Sequence, residues 1–522
     1  LADRLSAGHT AAARVLTIST ASKTLTVGGP ISGDYGLTKA GNNGTLVLAG
    51  ANTYSGDTTL TGGSTTISPL RLGADDVLPN GPGKGNVALN YANAMLDLYG
   101  FSDTINGLFN STTTPYVDNT KPGSTSTLTV GDNDVSSTFS GVIRNTGSGA
   151  IVNLAKTGAG VLYLSGANLH KGTTTIDGGT LRMGNAAALG TVDGATIVNA
   201  GGALDVNDLA LTLQEPLTLN GGVLTNRAAS ATWVGPVTVS GSGSVIDVGL
   251  TDIILSGNLS GSGDLTKQAT GALYLNGDNS AFDGALVLDA GLARLKSAGT
   301  AGTNGLGSAA GGTTVRSGAV LDLYGQFIGA EPLAIAGFGN NYGGALLNSH
   351  ATLDATLNGP VTLDGDTAFS VSTAAKKLTL GGAITGAYGI EKIGAGIVVL
   401  GKSANGYTGD TLVRAGTLRL GTANAIPDGV GKGDVHLIGT LDLAGNSETI
   451  NGLNGQGGIT CSVAGAPVLT VGTNDANGAY YGAIVNGSGT VGLTKIGSGV
   501  LTLASTASTF TGPTRIEGGT LR

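Results

Sequence analysis

The strongest constraint on this chain is that it repeats itself. The stretch LAKTGAGVLYLSGANLHKGTTTIDGGTLRMG, from Leu154 to Gly184, has four relatives in the same sequence. LTKAGNNGTLVLAGANTYSGDTTLTGGSTTISPLRLG begins at Leu37, LTKQATGALYLNGDNSAFDGALVLDAGLARL at Leu265, IEKIGAGIVVLGKSANGYTGDTLVRAGTLRLG at Ile390 and LTKIGSGVLTLASTASTFTGPTRIEGGTLR at Leu493. The lysines that open them, Lys39, Lys156, Lys267, Lys392 and Lys495, recur at a period of roughly 110 residues, which is the signature of a repeat architecture. A fold compatible with this must be one that grows by adding like units to like.

Other phrases keep the same phase. AMLDLYGFSDTINGL, GALDVNDLALTL, AVLDLYGQFIGAEPLAI and TLDLAGNSETINGL follow the first four copies, and KTLTVGGPISGDYGLTK and KKLTLGGAITGAYGIEK precede Lys39 and Lys392. No break in composition marks a linker. The expectation is one continuous solenoid over 1-522, with super-repeat cores at 37-73, 154-184, 265-295, 390-421 and 493-522.

Within Leu154–Gly184, VLYLS, TTTID and TLRMG read as strands, with apolar residues alternating as a half-buried strand requires. Gly and Asn separate them, where turns need positive φ. No stretch holds a helical apolar stripe for three turns. The 93 glycines follow no three-residue period, which excludes collagen, and a mean hydropathy of +0.21 excludes disorder. Short strands, Gly-rich corners and a fixed period predict an all-β fold, a single-stranded right-handed parallel β-helix with three short strands per coil. Coils about 4.8 Å apart would make a rod on the order of 100 Å long. Only 4% of residues are aromatic, consistent with a narrow tube of stacked small side chains with little room for rings. Sandwich arrays and propellers, the competing architectures, carry bulky aromatic core markers.

A net charge of −8 and a pI near 5.0 disfavour nucleic acid. No apolar run is long enough to span a bilayer as a helix. The N-terminal LADRLSAGHTAAARVLTIS lacks the basic start and apolar block of a signal peptide, and with Leu in first place it reads as a processed or trimmed chain. Cys461 is the single cysteine and reads as a small core filler.

The repeated pattern GxLxKxGxGxLxLxGxNxYxGxTxIxxGTLRLG, closest at Gly389–Gly421 and Leu154–Gly184, resembles the autotransporter-associated repeat, also called the passenger-associated transport repeat. The phrase TLDLAGNSETINGL is similar to the segments that link such repeats in β-helical passenger domains of type V secreted bacterial proteins. The resemblance implies an extracellular or outer-surface location on a Gram-negative-type bacterium. It also implies an outer-membrane translocator barrel in the full-length protein, beyond these 522 residues. A solenoid without disulfides and with nearly all contacts local suits a chain that crosses a membrane unfolded and folds as it emerges.

Residues present in every copy read as structural. Arg71, Arg182, Arg294, Arg419 and Arg522 alternate with inward leucines and are expected to face solvent, as are Asp97, Asp205, Asp322 and Asp442. The five lysines are expected at turns or edges. The acidic pairs Asp75/Asp76, Asp132/Asp134 and Asp364/Asp366 are the candidates for a polysaccharide-cleaving site, but each lies in a turn-like context. His9, His170, His350 and His436 show no metal spacing, and no serine-hydrolase or phosphate-loop motif is present. The sequence therefore assigns no catalytic residue, cofactor or metal. Segments that break the repeat fall at one phase and carry Tyr116, Trp233, Tyr342 and His350, aromatic groups suited to stacking on sugars or anchoring a partner.

The leading expectation is a non-catalytic extracellular rod, the passenger-like stalk or adhesin scaffold of a bacterial surface protein. A filament or sheath subunit formed by end-to-end stacking is a second reading, and a polysaccharide-binding or polysaccharide-cleaving β-helix a third. The corresponding partners are the chain itself, surface glycans, or proteins of a host or neighbouring cell.

Overall fold

The computed structural model describes residues 14–17, 23–41, 44–62, 66–112, 115–207, 210–227, 229–295 and 305–522; His9 and most of the N-terminal stretch read above lie outside them. The fold is a parallel β-solenoid. The chain comprises two compact units, Leu1–Gly257 and Asn258–Arg522. Among the described residues the elements are short strands and one three-residue 3-10 turn, Asn340–Tyr342.

In the first unit the chain visits each sheet in turn and pairs in parallel with itself one coil on. Thr24–Val27, Thr45–Leu48, Ser68–Leu72, Ala94–Asp97, Tyr116–Asp118 and Val142–Arg144 form one such ladder. Its register stacks Leu25, Leu46, Leu70, Leu96, Val117 and Ile143 in a single file. From Leu46 to Ile143 every member of that file is fully buried. Each buried Leu or Ile contributes about 2 kcal/mol of burial free energy, so the column is the unit of stability. Alternation turns most intervening residues outward, giving many strands one wet and one dry face, although in Ala94–Asp97 the intervening Met95 and Asp97 are buried too.

The second unit is built the same way. Phe369, Lys392, Val413, Leu437, Gly455 and Tyr480 are successive register partners, one per coil. The longest described strand, Val361–Val371, spans eleven residues and pairs with two partners on each side.

The interior holds more rings than composition implies. Trp233, Tyr54, Tyr407, Tyr480, Phe139, Phe282 and Phe369 are all fully or almost fully buried. Several sit beside a turn, where a glycine two residues later makes room. A Cβ on Gly141 would lie 2.5 Å from the Phe139 ring, and one on Gly482 would lie 2.6 Å from the Tyr480 hydroxyl. Rings thus enter the stacked files themselves, as Phe369, Tyr480 and Trp233 do, beside small or aliphatic register partners.

Candidate functional site

The five repeat lysines are not edge residues. Each occupies an inward position in an apolar file, as Lys156 does between Val130 and Ile176, and each is at most 2% exposed. The Lys156 ammonium donates to the carbonyls of Thr157, Gly158 and Gly178 at 2.5, 2.8 and 3.0 Å. Lys392 repeats this on Ile393, Gly394 and Ala415 at 2.7, 2.8 and 3.0 Å. Lys495 bonds Ile496 and Gly497, Lys267 bonds Ala269 and Ala290, and Lys39 reaches Ser68. The Gly-rich turn after each lysine aims carbonyls inward, and the ammonium supplies the donors they lack. Burial pushes the ammonium groups of Lys39, Lys156 and Lys392 down to about 8.

The aspartates of the linking phrases are not solvent-facing either. Asp97, Asp205, Asp322 and Asp442 are 0–1% exposed. Each takes the guanidinium Nε of the preceding coil at 2.7–2.8 Å, in the pairs Arg71–Asp97, Arg182–Asp205, Arg294–Asp322 and Arg419–Asp442. The other oxygen caps the turn that follows, as Asp442 Oδ1 accepts from Ala444 N at 3.0 Å, and the coil beyond adds Ser462 N at 2.9 Å and Ser462 Oγ at 2.6 Å. One carboxylate thus ties three coils together. Burial alone would raise the Asp442 carboxyl, but the donors from Ser462, Arg419 and Ala444 together outweigh it and hold it below the usual range. Alternation along the strand correctly takes the arginines out of the core; it cannot show that the opposing aspartates are buried beneath them.

The repeat asparagines are staples. Asn52, Asn168, Asn279 and Asn405 each accept a backbone N–H from the coil before (Ile31, Ile143, Leu259, Ile384) at 2.8–2.9 Å. Each donates to a carbonyl of the coil after (Val77, Ala188, Gly305, Ala425) at 2.6–2.7 Å. Two residues further on, Tyr54, His170 and Tyr407 bond the hydroxyl of Thr58, Thr174 and Thr411 at 2.6, 3.0 and 2.7 Å. In the third repeat both polar partners are replaced together, by Phe282 and Leu286, both buried.

Four buried carboxyl groups escape a reading of the sequence that looks for acidic pairs. Asp103, Glu215, Glu331 and Glu448 follow the LD aspartate of each linking segment by six to ten residues, and no local pattern marks them as buried. Burial pushes Asp103 up to about 8 and Glu215, Glu331 and Glu448 up to about 7. Their contacts are local. Asp103 accepts from Val77 N and Leu78 N, Glu448 from Ala425 N and Ile426 N, Glu215 from Thr196 Oγ1 and Glu331 from Thr313 Oγ1. The charge of Asp76 acts on Asp103 and that of Asp428 on Glu448.

The acidic pairs act as turn caps: Asp75 accepts from Ser102 N, Asp134 from Ala159 N and Asp366 from Gly389 N, at 2.6–2.8 Å. Among the described residues no group of three His, Cys, Asp or Glu side chains is placed to hold a metal ion. Cys461 is fully buried and accepts from Gly445 N at 3.3 Å. That is the bond which Asn119 and Asn348 make to Gly100 and Gly325 in other coils, so the thiol stands where those repeats place an amide.

The four aromatic candidates separate. Tyr116 and Trp233 lie on strands, not loops. Trp233 is 2% exposed and its indole donates to Glu215 O at 2.8 Å, so this side chain is core and is corrected from a ligand contact to a packing residue. It stands in a buried file between Leu213 and Leu255 of the neighbouring coils. Tyr116 is half-buried under the Arg144 guanidinium, 3.7 Å from its centroid. His350 packs edge-on against Tyr324 at 4.6 Å and its Nδ1 accepts from Thr352 N and Leu353 N. Tyr342 is 57% exposed, stacked on Phe338 at 4.8 Å. No ring contact joins any two of the four among the described residues.

Coils stitched by a lysine, an asparagine and an Arg–Asp pair at a fixed period define a repeat-built β-solenoid, and its similarities indicate an extracellular or outer-surface protein of Gram-negative type. The chain carries five passenger-associated-transport repeats, matched at residues 37–67, 154–183, 265–292, 390–420 and 493–522. It is similar to the adhesin BmaC autotransporter of Brucella suis biovar 1 (strain 1330), at 28% identity over 575 residues, covering 94% of this chain and 16% of that protein. The chain thus spans about a sixth of the length of that relative. No solved structure matches.

Proposed function

We propose that the chain is a non-catalytic scaffold, the stalk of an adhesin-like passenger that carries binding surfaces away from the cell. The observation that carries this reading is that the recurring charged and polar side chains are spent on bonds between coils. Lys156, Asp205 and Asn168 all bond neighbouring coils, so these recurring side chains serve the stack. The similar protein is named an adhesin, which supports a role in attachment. Surface glycans, or proteins on a host or neighbouring cell, are the partners this reading assigns.

The test is adhesion against catalysis. Beads coated with the purified chain should attach to cells or glycan-coated surfaces, while incubation with acidic and neutral polysaccharides should release no new reducing ends. Depolymerisation that survives repurification would overturn the scaffold reading. Electron microscopy of the same preparation shows whether the chain is one rod, as its uninterrupted repeat phase predicts, and whether rods join end to end.

A further inference from the structure

One outward column in the second unit departs from the self-satisfied pattern of the rest. Arg414, Ile438, Gln456 and Tyr481 follow one another at the same place on successive coils: Ile438 N bonds Val413 O, Gln456 N bonds Leu437 O and Tyr481 N bonds Gly455 O. Ile438 is 51% and Tyr481 60% exposed, and Gln456 is exposed. In the first unit the comparable column reads Asp177, Asn199, Asn220 and Ser240, whose side chains bond one another at 2.6, 2.8 and 3.4 Å. In the third repeat Asp289 at this position is paired with Arg316 at 2.8 Å. A column that elsewhere closes on itself here presents an isoleucine, an amide and a tyrosine to water.

Beside this column runs an open groove of about 550 Å³. Its floor is glycine: Gly439, Gly457 and Gly458. A Cβ on Gly439 would lie 2.7 Å from Gly416 O and one on Gly457 would lie 1.9 Å from Gly439 O, so those two positions stay bare by necessity, while Gly458 has room for a side chain.

The chemistry of the groove selects its occupant. A peptide added as a strand needs free backbone donors. Here Gly439 N, Gly457 N and Gly458 N are already bonded to Val413 O, Leu437 O and Gly439 O. An anionic ligand needs net positive charge, but Arg414 is held by both oxygens of Glu391, at 2.5 and 3.4 Å. What remains in the groove is an aliphatic side chain on Ile438 and an amide on Gln456 that both donates and accepts, and one coil past Gln456, outside the groove lining, the column continues with the exposed ring of Tyr481. These repeat along the coil axis at about 4.8 Å. Apolar faces interleaved with neutral hydrogen-bonding groups match a sugar ring, which has C–H faces and a hydroxyl rim.

We propose that a neutral oligosaccharide lies along the coil axis from this groove onto the adjoining exposed ring, with Ile438 and, one coil past Gln456, Tyr481 under its rings and Gln456 on its hydroxyls. The site rests on the glycan partner named above and gives it a place on the chain, while the scaffold itself stands whether or not the groove is occupied.

The test is calorimetric titration of the full chain with neutral hexasaccharides of β-glucan, mannan and galactan, beside acidic fragments of hyaluronan and pectin. At least one neutral probe should bind and the acidic ones should not. Tyr481→Ala should weaken binding about tenfold, equivalent to ~1.4 kcal/mol, while Tyr481→Trp retains it. Gly458→Leu, whose Cβ has 3.6 Å to its nearest neighbour on Thr440, should block the groove with an unchanged melting temperature. Failure of every neutral probe, undiminished binding by Tyr481→Ala, or capture of a peptide in the groove instead would overturn the proposal.

Discussion

Asp205 Oδ2 accepts from Arg182 Nε on one neighbouring coil and from Arg227 Nε on the other, both at 2.8 Å. The carboxylate is buried while Arg227 is 58% exposed, so the aspartate is the fixed member and the arginines close over it. Asp205→Asn keeps the turn bond to Asn207 but removes the charge that holds two guanidinium groups. It should destabilise the first unit by about 2–3 kcal/mol. Fluorescence of Trp233, buried in the same unit, reports the shift in denaturant midpoint; an unchanged midpoint refutes the clamp.

Lys392→Met preserves most of the apolar stem and strands three inward carbonyls. A loss of about 2–4 kcal/mol is expected from unsatisfied buried acceptors. Lys392→Arg should not rescue it, because a planar fork cannot converge on three carbonyls around one nitrogen. Thermal unfolding of the two variants checks both statements.

Ala269 holds φ +58° at the place where Gly158, Gly394 and Gly497 hold +66°, +75° and +68° in other repeats. Ala269→Gly relieves a left-handed alanine, and should stabilise by roughly 0.5–1 kcal/mol despite the added freedom of the unfolded chain. A fall in melting temperature would show that no strain is stored there.

The pair Tyr407–Thr411 and its apolar replacement Phe282–Leu286 form a natural double-mutant cycle. Tyr407→Phe alone leaves the buried Thr411 hydroxyl without its 2.7 Å partner and should cost about 1 kcal/mol. Adding Thr411→Leu should recover most of it, giving a coupling of at least about 0.5 kcal/mol. Additive losses would mean that the two positions act separately.

Acid should strengthen this fold over an unusual range. Asp103, Glu215, Glu331 and Glu448 keep their protons up to about 7–8 in the folded chain, whereas the unfolded chain releases them near pH 4–4.5. The folded state binds more protons between those values, so stability falls as pH rises from about 4.5 to about 8. Above that, Lys39, Lys156 and Lys392, lowered to about 8, give the opposite slope. The folded chain sheds protons that the unfolded chain keeps to about pH 10.4. A stability minimum near pH 8 is expected, and Glu448→Gln should flatten its acid side. A maximum at that pH would contradict both slopes.

Much of this was legible in the residues. Period, strand alternation and glycine corners specify a parallel solenoid, and Leu46, Leu70 and Leu96 stack as alternation requires. The arginines outside the core, half-buried over their aspartates, and the buried Cys461 are equally readable. The polar interior was not. Lys156 is charged and flanked by turn residues, and nothing local distinguishes an edge lysine from one that points inward to gather carbonyls. Asp205 alternates onto a strand's outer face, yet is covered by arginines that lie on neighbouring coils. Trp233 lies in a repeat-breaking segment, and only the pairing of Ala231–Trp233 with Asp252–Leu255 shows it to be core.

The sequence by itself determined the architecture, because a fixed period with two-residue alternation leaves a chain few ways to bury its apolar side chains except by stacking coil on coil. Only the tertiary structure decided which polar groups are consumed by that stacking and which remain for a ligand. Hydrogen-bond partners here lie roughly 20 to 30 residues apart, one coil away, so whether a lysine, an aspartate or a tyrosine meets a partner or meets water is set by its neighbour in the stack and not by its neighbour in the chain.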